Sequence, residues 1–261
     1  MKVDKFRTVI IYIIIILLGL VCLLPLLNIV AISFSSSAAV EGNMVGLIPV
    51  GFSTAAYKKI LEDSQFWHSF LISVERVVLT LIINFVLIVL MAYPLSKTNA
   101  QFRGRNIYAN LMIFAMLFNG GMIPTFLLVK SYGLLNTVWA LVLPGAVPIF
   151  NVILVMNFFA AVPKELEEAA FIDGANPLQV LTKIFIPISK PVLATVSLFS
   201  IVGSWNDFYS GLIYMSKATY YPLMTYIQSL QINVEDLIKQ GNLSAVVDSA
   251  SLGNKIGRAH V

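Results

Sequence analysis

A few polar and aromatic side chains interrupt long apolar stretches of this sequence, and these residues could bind a solute. They are Asn84, Asn119, Trp205, Asn206 and Asp207. Amide and carboxylate groups exchange hydrogen bonds with hydroxyl groups, and an indole ring offers an apolar face for stacking. Because an unpaired polar group is costly in apolar surroundings, we expect these residues to face either a polar path or a hydrogen-bonding partner.

Each of these positions has a structural alternative. Asn206 and Asp207 could line a solute path, or they could form a hydrogen-bonded knot near the end of their apolar stretch, and the sequence favours neither. For Asn84 we favour a hydrogen bond to a neighbouring helix over a position in the path. The run Asn119-Gly120-Gly121-Met122-Ile123-Pro124 breaks its stretch either beside a cavity or as a plain kink.

Two charged residues, Glu75 and Arg76, lie close to the start of the apolar stretch that begins at Phe70. Adjacent residues point to different sides of a helix, so these two do not form a pair with each other. Long charged side chains near the end of an apolar helix extend to the water. We therefore expect both side chains to reach the aqueous edge of the stretch.

The sequence contains no recognisable catalytic or metal-binding arrangement. His68 and His260 lie far apart with no partner at metal-ligand spacing, and the single cysteine, Cys22, excludes an intrachain disulfide. A phosphate-binding glycine loop with Lys, a nucleophile elbow and a carboxylate pair suited to acid–base catalysis are all missing. The sequence therefore predicts a protein that is not an enzyme and that binds no cofactor itself.

The elements that position the polar residues are predicted to be membrane-spanning helices. The chain has 261 residues, of which 58% are hydrophobic and 11% charged, and its mean hydropathy is +0.86. A span needs about 20 apolar residues. Stretches of that kind cover residues 9–32, 70–93, 107–129, 138–159 and 187–214, with Pro144 and Pro148 expected to kink the fourth. We therefore predict an all-α bundle with five spans in residues 1–214.

Basic residues predict the orientation of the bundle. Lys2, Lys5 and Arg7 precede the first apolar stretch, which is too long for a cleaved signal peptide. Nine Lys and Arg residues fall in segments on the same side as this N-terminus and five in the segments on the opposite side before the tail. Because cytoplasmic segments carry an excess of Lys and Arg, we predict a multi-pass membrane protein with its N-terminus in the cytoplasm.

The connection between the fourth and fifth stretches, residues 160–186, has an ordered pattern of helix signals. Pro163 suits a first helical position, and Gly174 can adopt the left-handed conformation that ends a helix. Asn176 can cap a second helix with Pro177 in its first turn, and Pro187 is expected to end it. The pattern predicts a helix, a sharp turn and a second short helix at the membrane surface.

Within this loop the chain resembles the EAA loop of the permease subunits of bacterial ATP-binding cassette (ABC) importers. The matching residues are Glu168-Ala169-Ala170, Gly174, Ile184 and Ile186-Pro187, where the family consensus has Leu before the final Pro. The resemblance implies a coupling helix that docks into a cleft of an ATPase subunit. It assigns the coupling to Glu168, Ala169, Ala170, Gly174, Ile184 and Pro187. The structural alternative is an amphipathic surface helix without a partner.

The resemblance extends over most of the chain. Ser204-Trp205-Asn206-Asp207-Phe208 and Tyr221-Pro222-Leu223 are similar to carbohydrate permeases of the maltose type, and the short loop after the first span is similar to that of their smaller permease. Residues 119–124 resemble the subgroup that imports polysaccharides and uronic-acid oligosaccharides. The resemblance implies an oligosaccharide importer of the type I ABC kind in a bacterial cell membrane. Its partners would be a second permease, two ATP-binding subunits that use ATP and Mg, and a sugar-binding lipoprotein outside the cell.

Two other functions are compatible with the sequence. The EAA loop also occurs in importers of amino acids, peptides and other solutes. A channel or a membrane scaffold without any ATPase is the alternative from another functional class.

The end of the chain departs from the family pattern, in which a sixth span returns the C-terminus to the cytoplasm. Residues 215–255 are predicted to form an extracytoplasmic segment with a helix at 234–247. Residues 256–261 resemble no part of the family's ending. We therefore expect a missing last span and a foreign tail at 256–261.

Overall fold

The computed structural model describes residues 5–118 and 120–239, and the side chains of residues 7–118 and 120–231. Within these ranges all regular structure is helical. The helices are α1 Lys5–Ser33, α2 Ser37–Glu41, α3 Ala55–Glu62, α4 Ser64–Leu95, α5 Arg105–Leu117, α6 Met122–Ser131, α7 Val138–Val142, α8 Ile149–Ala160, α9 Lys164–Ile172, α10 Pro177–Val180, α11 Ile186–Ile188, α12 Lys190–Asn206, α13 Tyr209–Tyr214 and α14 Leu223–Lys239. Leu143–Gly145 and Ala218–Tyr220 form 3₁₀ turns, and Leu181–Phe185 forms a π-helical segment.

The number of membrane-spanning elements agrees with the sequence prediction at its upper limit. Two helices, α1 and α4, are long and apolar enough to cross a membrane. Three pairs of helices reach that length together but are bent: α5 with α6 by 110°, Val138–Gly145 with α8 by 48°, and Pro177–Ile188 with α12 by 83°. Counting each bent pair as one span gives up to five.

The breaks have identifiable local causes. The bend between α7 and α8 lies between Pro144 and Pro148, as predicted. Pro124, in contrast, lies in the first turn of α6, where a proline is tolerated, and the break before α6 falls at Gly121 with a φ of +89°. Pro94 lies within the last turn of α4 and does not end the helix before it.

The chain divides into two compact units, one formed by Met1–Trp67 with Tyr226–Val261 and the other by His68–Thr225. In the first unit, α1 carries apolar side chains on all sides and none of its spanning window is buried. The segment after α1 is held by hydrogen bonds, for example from the Asn28 amide to the Gly46 carbonyl at 2.7 Å. The Tyr226 hydroxyl donates a hydrogen bond to the Asp63 carboxylate.

The helix predicted near the end of the chain begins earlier than expected. We expected it at 234–247, whereas α14 begins at Leu223, directly after Pro222, and reaches Lys239. A proline just before the first turn is compatible with a helix start at Leu223. Residues 240–261, including the tail for which we expected a foreign origin, lie outside the described residues.

The second unit contains an apolar core between α4, α8, α12 and the loop at 160–186. Its fully buried members include Ile88 and Ala92 of α4, Val152 and Val155 of α8, and Val196 of α12. Most of these side chains are small or β-branched, which allows helices to approach closely. This core fixes α4 against both the loop and α12, and these three elements carry the residues considered below.

Candidate functional site

The loop at 160–186 begins with a well-defined helix, α9. Pro163 precedes it, and Glu165 and Glu167 lie in its first turn, where carboxylates interact favourably with the helix dipole. The helix ends in a Schellman motif: the Ala175 N–H bonds to the Ala170 carbonyl at 2.9 Å and the Gly174 N–H to the Phe171 carbonyl at 3.1 Å.

Gly174 has a φ of +80°, so the predicted left-handed turn is confirmed. No atom lies within 4 Å of the position that a Cβ would take. The requirement for glycine therefore comes from the backbone conformation and not from the space around it.

The second half of the loop starts as predicted and ends later. Asn176 and Gln179 form a capping box, with two reciprocal hydrogen bonds of 2.9 Å, and Pro177 occupies the first turn. The helical path then continues through the π-helical segment to Ile188. Pro187 therefore does not end this helix: it lies in the short α11, whose first turn tolerates a proline. The 83° bend follows at Ser189.

The faces of α9 differ sharply in exposure. Ala170 is half-buried against the apolar core, together with Ile184 and Ile186 from the second half of the loop. Glu168 and Ala169 are exposed, and Pro187 is also exposed. The helix also exposes large apolar side chains: Leu166 and Phe171 are each 43% exposed and Ile172 is 86% exposed. Ala170, one of the residues to which the resemblance assigns the coupling, therefore packs against the core of its own chain.

A second acidic residue of α9, Glu167, has a role that the sequence did not indicate. It is only 8% exposed, although its neighbours Glu165 and Glu168 are exposed. The Lys97 Nζ donates a hydrogen bond to its carboxylate at 2.8 Å. Lys97 Nζ also lies 4.2 Å from the ring centroid of Tyr93 and 4.1 Å from that of Phe185, within the range of cation–π interactions.

Lys97 follows the end of α4 and lies outside the apolar helix. Burial lowers the pKa of Lys97 from its ordinary value of 10.5, and the hydrogen bond to Glu167 acts in the opposite direction. No local signal in the sequence could have found this pair, because its members are 70 positions apart.

A polar cavity of about 280 Å³ lies between α4, α7, α8 and α12. Arg76, Thr80 and Asn84 line it from α4, and Ser200, Ser204 and Asp207 line it from α12 and the residue after it. On α4 these positions are four residues apart, so they share one face of the helix. Two of the five residues predicted to bind a solute, Asn84 and Asp207, therefore lie at the same cavity.

The expectation for Arg76 was wrong. Its side chain does not extend to water; it is 4% exposed and its Nη1 donates a hydrogen bond to the Asp207 carbonyl oxygen at 2.9 Å. The Nη2 atom bonds to the Asp207 carboxylate, whose other oxygen accepts the backbone N–H of Ser210 at 3.1 Å. Asp207, 131 positions away in the sequence, compensates the charge of Arg76, which the sequence analysis had expected to reach water. Glu75 is exposed, in agreement with the expectation.

Several polar atoms at the cavity are buried without a hydrogen bond from the described part of the protein. They are Arg76 Nε, Thr80 Oγ1 and Asn84 Oδ1. The amide nitrogen of Asn84 donates to Ser200 Oγ at 3.2 Å, which is the predicted hydrogen bond between helices. Buried polar groups are normally satisfied, whereas these three atoms of cavity-lining residues have no partner among the described residues.

Two of the other predicted solute-binding residues, Trp205 and Asn206, do not line this cavity. Trp205 is half-buried and packs edge-to-face on Phe70, with 6.0 Å between ring centroids. Asn206 ends α12 and is exposed. Asn119 lies outside the described residues. Among the described side chains, those of residues 7–118 and 120–231, no group of three His, Cys, Asp or Glu could hold a metal ion.

Known proteins resemble this chain over nearly its whole length. Residues 48–247 match the family described as binding-protein-dependent transport system inner membrane component. Protein LplC of Bacillus subtilis (strain 168) is 42% identical over 214 residues, which are 82% of this chain and 72% of that protein. The polygalacturonan/rhamnogalacturonan transport system permease protein YtcP of the same organism is 39% identical over 241 residues, 92% of this chain and 83% of that protein.

A solved structure shows the same fold. It is the crystal structure of a bacterial ABC transporter involved in the import of the acidic polysaccharide alginate, in which one chain aligns with a TM-score of 0.84 and 31% identity. The alignment covers 99% of this chain and 92% of that chain. The fold class predicted from the sequence, an all-α permease of the type I ABC importer kind, is confirmed.

Proposed function

Because the chain belongs to the family of inner membrane components of binding-protein-dependent transport systems, we propose that it is a permease subunit of an ATP-driven importer of acidic oligosaccharides. The names of two relatives support this class of substrate: one belongs to a polygalacturonan/rhamnogalacturonan transport system, and the other to a transporter that imports alginate. Polygalacturonan and alginate are both polymers of acidic sugars.

The observation that carries the proposal is the form of the loop at 160–186. A helix of nine residues is fixed at its end by the Schellman motif and leaves Leu166, Phe171 and Ile172 exposed. Exposed apolar side chains on a rigid element are typical of a surface that binds another protein. We propose that this face of α9, with Glu168, Ala169 and Gly174, docks into the ATP-binding subunit.

The cavity supports the transport half of the proposal. Sugar hydroxyl groups both donate and accept hydrogen bonds, and the unpartnered atoms of Arg76, Thr80 and Asn84 offer both kinds of group. The cavity would form this subunit's half of the path, and a second, homologous permease would supply the other half. ATP-driven closure of two ATP-binding subunits would move α9, and rigid-body motion of the packed helices would open the path to alternate sides.

The proposed assembly has further members. An extracytoplasmic binding lipoprotein would deliver the oligosaccharide, and the chain would lie in a bacterial cell membrane with its N-terminus in the cytoplasm. The polypeptide would catalyse no reaction itself, since ATP and Mg would be used by the partner subunit.

Purification and transport together test the proposal. The tagged chain is isolated from its own host with the proteins that bind it and reconstituted in liposomes. Uptake of oligogalacturonate, maltotriose and trialanine is then measured with and without ATP. We expect an ATP-binding protein to copurify and oligogalacturonate to accumulate only with ATP. If no ATP-binding protein is recovered with the chain, the result would support a channel or a scaffold. Uptake of trialanine in place of the sugars would support a permease for another solute.

A further inference from the structure

The described side chains form three ion pairs, and their exposure separates one from the other two. Lys58 and Glu62 are 78% and 66% exposed, as is usual for a pair on a helix surface. The side chains of Lys97 and Glu167 are only 12% and 10% exposed, and the side chain of Arg76 is 4% exposed against 29% for that of Asp207. Burial of an ion pair carries a large desolvation cost and contributes little net stability, so such a pair often fixes one specific arrangement.

The two buried pairs lie toward opposite ends of the same helix. Arg76 is in the first half of α4, beside the polar cavity, and Lys97 follows its last residue, Leu95. At 1.5 Å per residue the two positions are about 30 Å apart along the helix. Each pair joins α4 to a different element: Arg76 to the end of α12, and Lys97 to α9.

Side chains from more than one element contact the Lys97 ammonium group. The ammonium group bonds to Glu167 and lies against the rings of Tyr93 from α4 and Phe185 from the π-helical segment. Those rings are themselves in edge-to-face contact, with 5.2 Å between their centroids. Phe185 also contacts Phe159 of α8, at 5.4 Å. Side chains from two elements besides α9, namely α4 and the π-helical segment, therefore enclose the ion pair, and Phe159 of α8 packs against one of them.

We propose that Lys97 and Glu167 are positioning residues that fix α9 to the end of α4, so that any displacement of α9 moves α4 and with it Arg76 at the cavity. The proposal rests on the proposed function, because it assumes that a partner displaces α9. A neutral side chain at either position would keep the apolar contacts of the loop but would remove the ionic attraction, and Lys97→Met would also remove the hydrogen bond. A displacement of α9 would then deform the loop at 160–186 and would no longer move α4.

The test measures oligogalacturonate uptake per ATP hydrolysed and per assembled complex in liposomes. The variants are Lys97→Met, Glu167→Gln, and the exchange of the two charges, Lys97→Glu with Glu167→Lys. The matched control is Lys58→Met, which removes the same charge from the exposed pair. We expect each single variant to lower the uptake per ATP by about fivefold or more and the control to equal the wild type. The exchange should restore only part of the uptake, because it places a carboxylate against the faces of the Tyr93 and Phe185 rings.

A distance measurement gives a second result that does not depend on transport. Spin labels are placed on Lys164→Cys at the start of α9 and on Asn99→Cys after α4, in a Cys22→Ser background. Both positions are exposed. In the assembled transporter we expect one narrow distance distribution, with and without ATP, and a broad or ATP-dependent one once Lys97→Met is added.

The outcomes separate the inference from the proposed function. If the wild type shows no ATP-driven uptake of any solute, the proposed function fails. If the wild type transports but Lys97→Met and Glu167→Gln behave like Lys58→Met, the positioning role is refuted. A loss of assembled complex with unchanged uptake per ATP also refutes it, since that is the effect of a merely structural pair. If Lys97→Met yields no complex, the uptake per ATP hydrolysed is compared between the wild type and Glu167→Gln, which keeps the size of the side chain, and an equal value refutes the positioning role.

Discussion

Arg76 and Asp207 are joined twice: one nitrogen of the guanidinium bonds to the carbonyl oxygen of Asp207 at 2.9 Å, and another bonds to its carboxylate. The pair ties the face of α4 that lines the cavity to the residue at which α12 ends. It neutralises a cation inside a membrane-spanning element and leaves Arg76 Nε directed at no protein partner among the described residues. The first prediction follows from this geometry.

Replacing one member of this pair should destabilise the protein more than replacing both. Asp207→Ala leaves Arg76 buried without its counter-ion, at a cost of about 3 kcal/mol, the lower end for buried pairs because Asp207 is 29% exposed. Asp207→Asn keeps the size and the hydrogen bonds and should cost less. The unfolding temperature in detergent measures both effects. The combined change Arg76→Met with Asp207→Leu should recover part of the loss, and purely additive losses would contradict a direct interaction.

Thr80→Val should separate a role in transport from a role in the fold. Thr80 Oγ1 makes no hydrogen bond within the described residues, so an isosteric methyl group removes no protein contact. We expect the unfolding temperature to stay the same or rise. The half-saturating oligogalacturonate concentration should increase if the hydroxyl faces the solute. Unchanged uptake by Thr80→Val would remove this residue from the proposed path.

Gly174→Val should impair coupling through the backbone alone. A non-glycine residue in the left-handed conformation costs about 1 to 2 kcal/mol, and there is no clash to add to it. ATP-dependent uptake should fall while membrane insertion is normal, and Gly174→Asn should be milder because Asn tolerates this conformation. Gly19→Ala is the control, since Gly19 lies within α1 and has free space around it. Normal uptake and full ATPase association in Gly174→Val would count against the docking role of the loop.

Ile172→Glu tests the docking face directly. The side chain is 86% exposed at the end of α9, so a charge there should leave the unfolding temperature unchanged. Copurification of the ATP-binding protein should drop strongly, because a carboxylate would have to be desolvated in the interface. Ile48→Glu is the control: Ile48 is 76% exposed and lies in the segment predicted to be outside the cell. Equal ATPase recovery from the two variants would show that this face does not bind the ATPase.

Gly211→Ala should destabilise the second unit by overpacking. A Cβ at this position would lie 2.1 Å from Thr225 Oγ1 and 2.8 Å from Thr225 Cβ. Insertion of a methyl group into such a contact costs about 1 to 3 kcal/mol. Adding Thr225→Gly removes the colliding atoms, although it also removes the hydrogen bond from Thr225 to the Phe208 carbonyl at 2.8 Å. The unfolding temperature of the double variant should therefore lie above that of Gly211→Ala.

Local patterns predicted the parts of this protein that depend on neighbouring residues. The apolar stretches mark the spanning helices, and Gly174, Asn176 and Pro177 mark the turn in the loop because their backbone conformations and caps involve residues only a few positions away. The same kind of reasoning placed a break within residues 119–124, and α6 indeed begins inside that run, at Met122. Gly121 and Pro124 both disfavour a continuous helix, and only the three-dimensional path shows which one interrupts it.

The candidate site could be predicted only in part, since its arrangement depends on distant pairs. Arg76 and Asp207 are 131 positions apart, and Lys97 and Glu167 are 70 positions apart. Each residue by itself has an ordinary local explanation: Arg76 lies near the start of a span, and Glu167 is one of several acids in a short helix. The polarity of Asn84 and Asp207 was informative because it conflicts with their apolar surroundings, and both line the cavity.

The position of the single cysteine has a practical consequence for these experiments. Cys22 is exposed on α1, in the middle of a helix that carries apolar residues on every side. In a membrane this thiol would lie within the hydrocarbon, where the reactive thiolate is strongly disfavoured. Water-soluble maleimides should then leave the unmodified chain unlabelled, so the native sequence itself serves as the background for mapping, one introduced cysteine at a time, which segments face each side of the membrane.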